Sequence, residues 1–283
     1  SWEILIGNWL RALITIVYEK EMLINLAIKT KKVNLIKLSF SDVNTYSYST
    51  KEFVKDIQKH EWNEKLINNL VKFDLIDIKT KNEVPKNKIK NKDLNKKNIN
   101  FIIKNYFKNL YFKITTFLIR NDSYILHGLG FNFFDTVKFK MKAGFMPHFQ
   151  FPYPQKRNIK KNNYMRNKLS FKNKNNNKLK NILTSKLIPE YLPVLFVEDF
   201  SRACEFIKNN YPKSPKSIIT SNSYFSDDFF KLFISTNVDK GCRYSVMQHG
   251  GAFGTHLIHD EEKLIINTCD NFYTWGWKSK KYK

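Results

Sequence analysis

The heptapeptide Gln248-His249-Gly250-Gly251-Ala252-Phe253-Gly254 sets one imidazole among glycines, directly after a short apolar run, Arg243-Tyr244-Ser245-Val246-Met247, that reads as a buried strand. Histidine's ordinary pKa, about 6.5, suits proton transfer near neutrality. Glycines let the chain turn sharply and bring its backbone close to a ligand. If this loop closes over a substrate hydroxyl, His249 is placed to take its proton as general base, an effect of roughly 10²–10⁴-fold. The N–H groups of Gly250, Gly251 and Gly254 would then face a phosphate or a developing oxyanion. The other reading is a tight turn whose histidine only caps the strand, and spacing alone does not separate the two.

A second loop, Thr220-Ser221-Asn222-Ser223-Tyr224, follows the run Lys216–Thr220 and would share the same sheet edge. Its hydroxyls and the helix start after it suggest an anion cradle, with Ser226 as the N-cap of the following helix. Asp270 opens a last strand, Asn271–Trp275, and Trp275 and Trp277 close it. Residues at i, i+2 share one face of a strand, so this pair either stacks a sugar or base or fills core. Gln248, Asp270, Trp275 and Trp277 join the loops as candidate binding residues. His256, His259, Asp260 and Glu261 could ligate a metal only on a helix, which Gly254-Thr255 does not promise. A surface loop is expected there, and no metal site. His127-Gly128-Leu129-Gly130 is a fainter echo of the first loop. Trp9, with Glu3 and Arg11, either lines a cleft or packs. No Walker A lysine loop, full GxGxxG or GxSxG elbow occurs, which argues against a P-loop NTPase, a standard dinucleotide enzyme or an α/β-hydrolase.

The elements that would position these residues follow from periodicity. Apolar residues at Leu10, Leu13, Ile14, Val17, Met22, Leu23 and Leu26 predict a helix over Trp9–Lys29. Val33–Leu38 reads as a strand, Thr50 as a helix start, and Trp62–Phe73 and Ile99–Ile119 as helices. Ser123–Leu126 reads as a strand, Asn132–Met141 as a helix and Gly144–Pro154 as loop. From Glu190 the pattern alternates: helix Glu198–Asn210, strand Lys216–Thr220, a helix running to Gly241 as its C′ residue, strand, strand. Strand–helix–strand at this spacing predicts βαβ units and a parallel sheet. The expected fold is α/β: a Rossmann-like parallel sheet with flanking helices over 190–283, after a helix-rich part, 1–189, with Lys/Asn-rich insertions at 81–98 and 155–181.

The chain has 283 residues, 42% of them hydrophobic, enough for one large domain or two small ones. Its formal charge of +24 first suggests nucleic acid or an anionic membrane. Much of that charge sits in two asparagine-crowded tracts. Gln155–Asn181 carries ten Lys/Arg and no acid, and Lys81–Lys97 seven Lys against two acids. They read as solvated insertions rather than a dedicated polyanion site. A non-enzymatic polyanion- or membrane-surface-binding protein is the alternative. Cys204, Cys242 and Cys269 show no CxxC or disulfide spacing, so a reducing cytosol is the default. No apolar run reaches the ~18–20 residues of a membrane span. The start at Ser1 and the stop just after Trp275-Gly276-Trp277 suggest a fragment of a longer protein.

The stretch from Pro215-Lys216-Ser217-Ile218-Ile219-Thr220-Ser221, through Phe230-Lys231, to Gln248-His249-Gly250-Gly251 and Asp270 with Trp275-Gly276-Trp277 resembles a family of bacterial transferases usually encoded among surface-polysaccharide genes. The opening Ile4-Leu5-Ile6-Gly7-Asn8-Trp9-Leu10 is similar to that family's IGPWL segment, with Asn8 in place of proline. The resemblance brackets nearly the whole chain and is densest over its last 70 residues. It implies a two-lobed glycosyltransferase-like architecture (GT-B-like), this chain ending at or soon after the first lobe. A more distant likeness is to the glycerophosphotransferases of teichoic-acid synthesis, whose histidine-glycine pair follows a strand of the first lobe. Their histidine is taken as base for the acceptor hydroxyl. Gln248 stands here where they usually carry tryptophan, and their following Thr-Pro-Leu-Lys is absent.

The resemblance thus implies a cytoplasmic transferase of cell-envelope polysaccharide synthesis, moving a sugar-like group from a nucleotide-activated donor to a glycan or lipid-linked acceptor. His249 would be the base. Donor binding would fall mainly to a second lobe, so the 283 residues alone would turn over little. Peripheral contact with an anionic membrane is a further expectation; a cofactor or a specific nucleic-acid partner is not.

Overall fold

The structure, a computed structural model, describes residues 1–30, 35–39, 46–73, 75–76, 78–83, 110, 114, 124–142, 151–154, 156–171 and 177–278. The expected helix Ile99–Ile119 lies outside them except at Leu110 and Ile114, both helical, and the Gly144–Pro154 loop is described only from residue 151. Two compact units form. One gathers Ser1–Asn8, Asn95–Arg157 and Ser201–Lys283, and the other Trp9–Leu94 and Asn158–Phe200.

In the second unit the strands β1 (Leu35–Ser39) and β2 (Lys79–Glu83) pair in parallel. The helix Trp2–Lys29 supplies it with Trp9, Leu13 and Val17, a buried i, i+4 stripe. Met22, Leu23 and Leu26, expected on the buried face, are about half exposed instead. An aromatic chain links Trp9 to Phe53 (5.9 Å), Phe53 to Trp62 (5.6 Å) and Trp62 to Tyr191 (5.2 Å). Trp9 is therefore packing, not cleft lining.

The described part of the basic tract 155–181 is mostly exposed, but one of its arginines is buried. Asn162 caps the helix Asn163–Lys168, accepting from Met165 N at 3.1 Å. From that helix Arg166 is 98% buried by its 2% exposure, with Nε and Nη2 donating to the two oxygens of Glu198 at 2.6 and 2.8 Å. Its Nη1 donates to the carbonyls of Pro189 and Leu192, each at 2.9 Å. Lys161 pairs with Glu190 and lies over the Tyr46 ring at 4.3 Å. A charge count cannot tell a paired, buried arginine from a solvated one.

The first unit holds a four-stranded parallel sheet: β3 (Tyr124–His127), β4 (Ser217–Thr220), β5 (Arg243–Met247) and β6 (Asn271–Tyr273), in that spatial order. Ile125 faces Ile218, Ile218 faces Tyr244, and Val246 faces Phe272 across the register. The sheet takes β3 from before residue 189 and its other strands from after it. Buried on both faces, such strands read as apolar runs rather than alternating ones, as Ile125-Leu126 does; in Tyr244-Ser245-Val246 the buried Ser245 is a polar exception.

The helix Asp228–Val238 joins β4 to β5 and buries nine of its eleven residues. Asp228 and Lys231 sit inside as an ion pair at 2.7 Å, which is how two charges survive burial. The N-cap is Asp227, whose carboxylate accepts from Phe230 N at 3.0 Å, not the expected Ser226. Both residue types cap, and Asp227 stands at the register that reaches the third helical amide. The helix ends as Gly241 predicts: Gly241 N bonds Val238 O at 2.9 Å and Cys242 N bonds Asn237 O at 3.0 Å, a Schellman turn with Gly241 at φ 89°. No helix of the described residues is long and apolar enough to cross a membrane.

Candidate functional site

Because all four strands run the same way, the loops after His127, Thr220, Met247 and Tyr273 share the carboxyl edge, where open α/β sheets bind ligands. His249 lies there, half-buried. Gly250 at φ 88° and Gly254 at φ 75° turn the chain back under it, backbone that side-chain-bearing residues rarely adopt. The imidazole is edge-on to the Tyr224 ring (5.8 Å, 81°) and 5.7 Å from that of Phe253.

Two other loops reach this ring. Tyr224, 4% exposed, comes from the turn after β4, and Glu261 from the first turn of the helix Asp260–Thr268. Tyr224 Oη donates to Glu261 Oε1 at 3.0 Å and lies 3.4 Å from His249 Nδ1. The opening segment backs this arrangement. Asn8 Nδ2 donates to Tyr224 O at 3.1 Å, and a methyl added to Gly7 would stand 2.9 Å from Leu264 of the same helix as Glu261.

Gln248 frames the loop rather than opening to a ligand. It is 6% exposed, its N–H bonds Tyr273 O at 2.8 Å, and its Nε2 donates to Gly250 O at 3.0 Å. Trp277 Nε1 and Trp275 N donate to its Oε1 at 2.7 and 3.0 Å. The tryptophans do not share a strand face, because β6 ends at Tyr273 and Gly276 turns at φ 94°. Trp275 is left exposed. Trp277 instead covers Gly254, where an added Cβ would lie 2.6 Å from the indole. Gly254 N is occupied by the buried Glu262, at 2.6 Å. Among the described residues the N–H groups of Gly250 and Gly251 meet no protein acceptor, and space beside both is open.

The Thr220–Ser223 loop reaches the shared edge with its amides already engaged. Ser221 N and Asn222 N donate to Gly128 O at 3.0 and 3.2 Å, and Ser223 N to Thr220 Oγ1 at 3.3 Å. Gly128, at φ 60°, is pinned against Ser223 Oγ, 2.1 Å from where a Cβ would stand. The histidine before it, His127, is 7% exposed, packed on Phe230 (4.5 Å) and Phe151 (5.0 Å), with Nε2 3.7 Å from Asp227. That echo of the first loop is interior packing.

Asp270 is placed away from the site. It precedes β6, so it stands at the amino edge, where its carboxylate accepts from Tyr244 N at 2.7 Å and its N–H bonds Tyr244 O at 2.7 Å. Parallel strands put starts and ends on opposite edges, so a substrate-binding role beside His249 is excluded by direction alone.

No group of three or more His, Cys, Asp or Glu that could hold a metal occurs among the described residues. His259 packs on Phe253 at 4.8 Å and sits 3.6 Å from Glu262, and His256 lies 5.8 Å from it, ring to ring. Of the residues nearest His249, Tyr224 stands in sequence as the end of the second loop and Glu261 among the metal-ligating candidates, and neither is marked there as a partner of His249. Their only shared sequence signal is that each lies on a segment leaving the same sheet edge.

The family model described as LIC12162 family transferase matches residues 1–283. No curated protein and no solved structure shows a match.

Proposed function

The chain belongs to the LIC12162 family of transferases, and from that premise we propose that it serves cell-surface polysaccharide synthesis. It transfers a sugar or sugar-like group from a nucleotide-activated donor to a hydroxyl of a glycan or lipid-linked acceptor. His249 Nε2 takes the acceptor's proton, and the freed oxygen pair forms the new bond to the donor's sugar carbon. The bond from that carbon to phosphate breaks, and the nucleotide leaves with the electron pair. The open amides of Gly250 and Gly251 face the phosphate or the charge that develops on it. Donor recognition falls mainly to a second Rossmann-like lobe, as in GT-B architecture, and the enzyme works in the cytoplasm at the inner face of the membrane.

The observation that supports this reading is the split between the two nitrogens of His249. Nδ1 has a protein neighbour in Tyr224, whereas Nε2 has none among the described residues, beside a glycine turn with unengaged N–H groups. The test is a panel of nucleotide sugars with the full-length protein, following nucleoside phosphate release with and without acceptor. His249→Ala is expected to lower kcat at least ~100-fold; a near-normal kcat overturns the assignment.

A further inference from the structure

We propose that Tyr224 and Glu261 are positioning residues that hold His249 as its Nδ1–H tautomer, leaving Nε2 as the basic nitrogen. The proposal rests on the transferase reading only for its consequence in catalysis; the tautomer itself stands on geometry. A phenol carries one proton. The ionised carboxylate of Glu261 can only accept, so the bond of 3.0 Å from Tyr224 Oη uses that proton. The hydroxyl can then only accept from His249 Nδ1, 3.4 Å away, which requires the proton on Nδ1. The neutral ring has one proton, so Nε2 carries a lone pair.

The construction is rigid where it needs to be. Tyr224 is 4% exposed, and its carbonyl is tied by Asn8 at 3.1 Å, so the phenol cannot swing without disturbing the opening helix. Phe253 lies on another side of the imidazole. When Nε2 gains a proton, the imidazolium keeps donating through Nδ1–H to a phenol oxygen polarised by the Glu261 carboxylate. The distance of 3.4 Å is long for a resting hydrogen bond, as catalytic contacts often are before substrate tightens them.

The hydrogen-bond logic gives two variants of Glu261 opposite outcomes. Glu261→Gln still presents a carbonyl oxygen to the phenol, so the tautomer persists. Glu261→Leu frees the phenol proton to turn towards His249, so Nδ1 becomes an acceptor and the proton moves to Nε2. Nitrogen-15 correlation spectra of histidine-labelled full-length protein at pH 8.5 read this directly, with the His249 signals identified by their loss in His249→Ala. Expected are Nδ1–H in the parent and in Glu261→Gln, and Nε2–H in Glu261→Leu. An Nε2–H parent, or a Glu261→Leu spectrum identical to the parent's, overturns the proposal. Unchanged signals from the other histidines show that each variant is folded. With substrate, Glu261→Leu should lose kcat towards the ~10⁴-fold seen when a histidine base is held in the wrong tautomer, with KM little changed. The spectra need no substrate. A wrong tautomer therefore sinks this proposal and moves any base role off Nε2, whereas an active His249→Ala sinks the base role and leaves the tautomer standing.

Discussion

Trp277 Nε1 donates to Gln248 Oε1 at 2.7 Å, and the N–H of Trp275 reaches the same oxygen at 3.0 Å. Two sequence features 29 positions apart, the glutamine before the histidine and the tryptophan pair, are thus one hydrogen-bonded clasp across the ends of β5 and β6. Replacing Gln248 with Leu removes the shared acceptor and the donor to Gly250 O, stranding two N–H groups and a carbonyl at a part-buried seam. Each stranded group costs about 1–3 kcal/mol. Urea denaturation should show Gln248→Leu destabilised by at least ~2 kcal/mol, and Trp277→Phe by less, since it leaves Trp275 N on the oxygen. Parent-like stability for Gln248→Leu would disprove the clasp.

The glycines of the loop are not equivalent. Gly254 combines φ 75° with an indole 2.6 Å from any added Cβ. Alanine there meets both the left-handed backbone penalty, about 1–2 kcal/mol, and overpacking of about 1–3 kcal/mol. Gly251 has neither constraint in the folded chain, with nothing within 4 Å of an added Cβ. Gly251→Ala should therefore leave the melting temperature unchanged while Gly254→Ala lowers it clearly. If ligand phosphate approaches these amides, Gly251→Ala also weakens substrate binding, seen as a raised KM. An unaltered KM would remove Gly251 from the binding surface.

What the sequence could disclose depended on how far apart partners lie. The β4–helix–β5 run and β6 were legible because each strand is a short stretch bounded by proline or glycine and the first crossover helix is local, whereas the helix Asp260–Thr268 before β6 falls where the sequence reads as a surface loop. The neighbour of β3 was not, because nearly ninety residues separate His127 from Ser217 and no local pattern encodes that pairing. The strand β2, Lys-Thr-Lys-Asn-Glu, has no apolar residue to announce it. Asp270 looked chemical because it is a carboxylate beside a strand; only strand direction shows it is on the wrong edge. The glycine loop and His249 were readable by type, whereas Tyr224 and Glu261 needed three loops assembled in space.

The cysteines should be unreactive in the folded protein. Burial, reinforced by the Asp270 carboxylate, pushes the Cys242 thiol up to about 11 and Cys269 to about 12. Thiolate is the reacting species, and at pH 8 its fraction at Cys242 is on the order of one part in a thousand. Iodoacetamide should label both slowly in native protein and quickly in urea. Asp270→Asn keeps a carbonyl oxygen for Tyr244 N but removes the charge, and should speed native labelling of Cys269. Fast labelling of the parent would contradict the burial.

Arg166 and Glu198 give the sharpest stability test, because the tract that carries the arginine looks dispensable by composition. Arg166→Met leaves the Glu198 carboxylate inside without its partner, a loss of about 3–5 kcal/mol. Burial alone would raise the Glu198 pKa, but hydrogen bonds from Arg166 and from Asn162 N–H, with the guanidinium charge, outweigh it and hold the carboxyl below its usual value. A folded pKa below the unfolded one, about 4.3, means the contribution is complete above that pH and disappears as pH falls through the folded value. Urea midpoints should therefore separate the parent from Glu198→Gln widely at pH 7, and the gap should narrow as the pH drops below about 4. A gap that stays constant, or widens on acidification, would mean that Glu198 is not held ionised by Arg166.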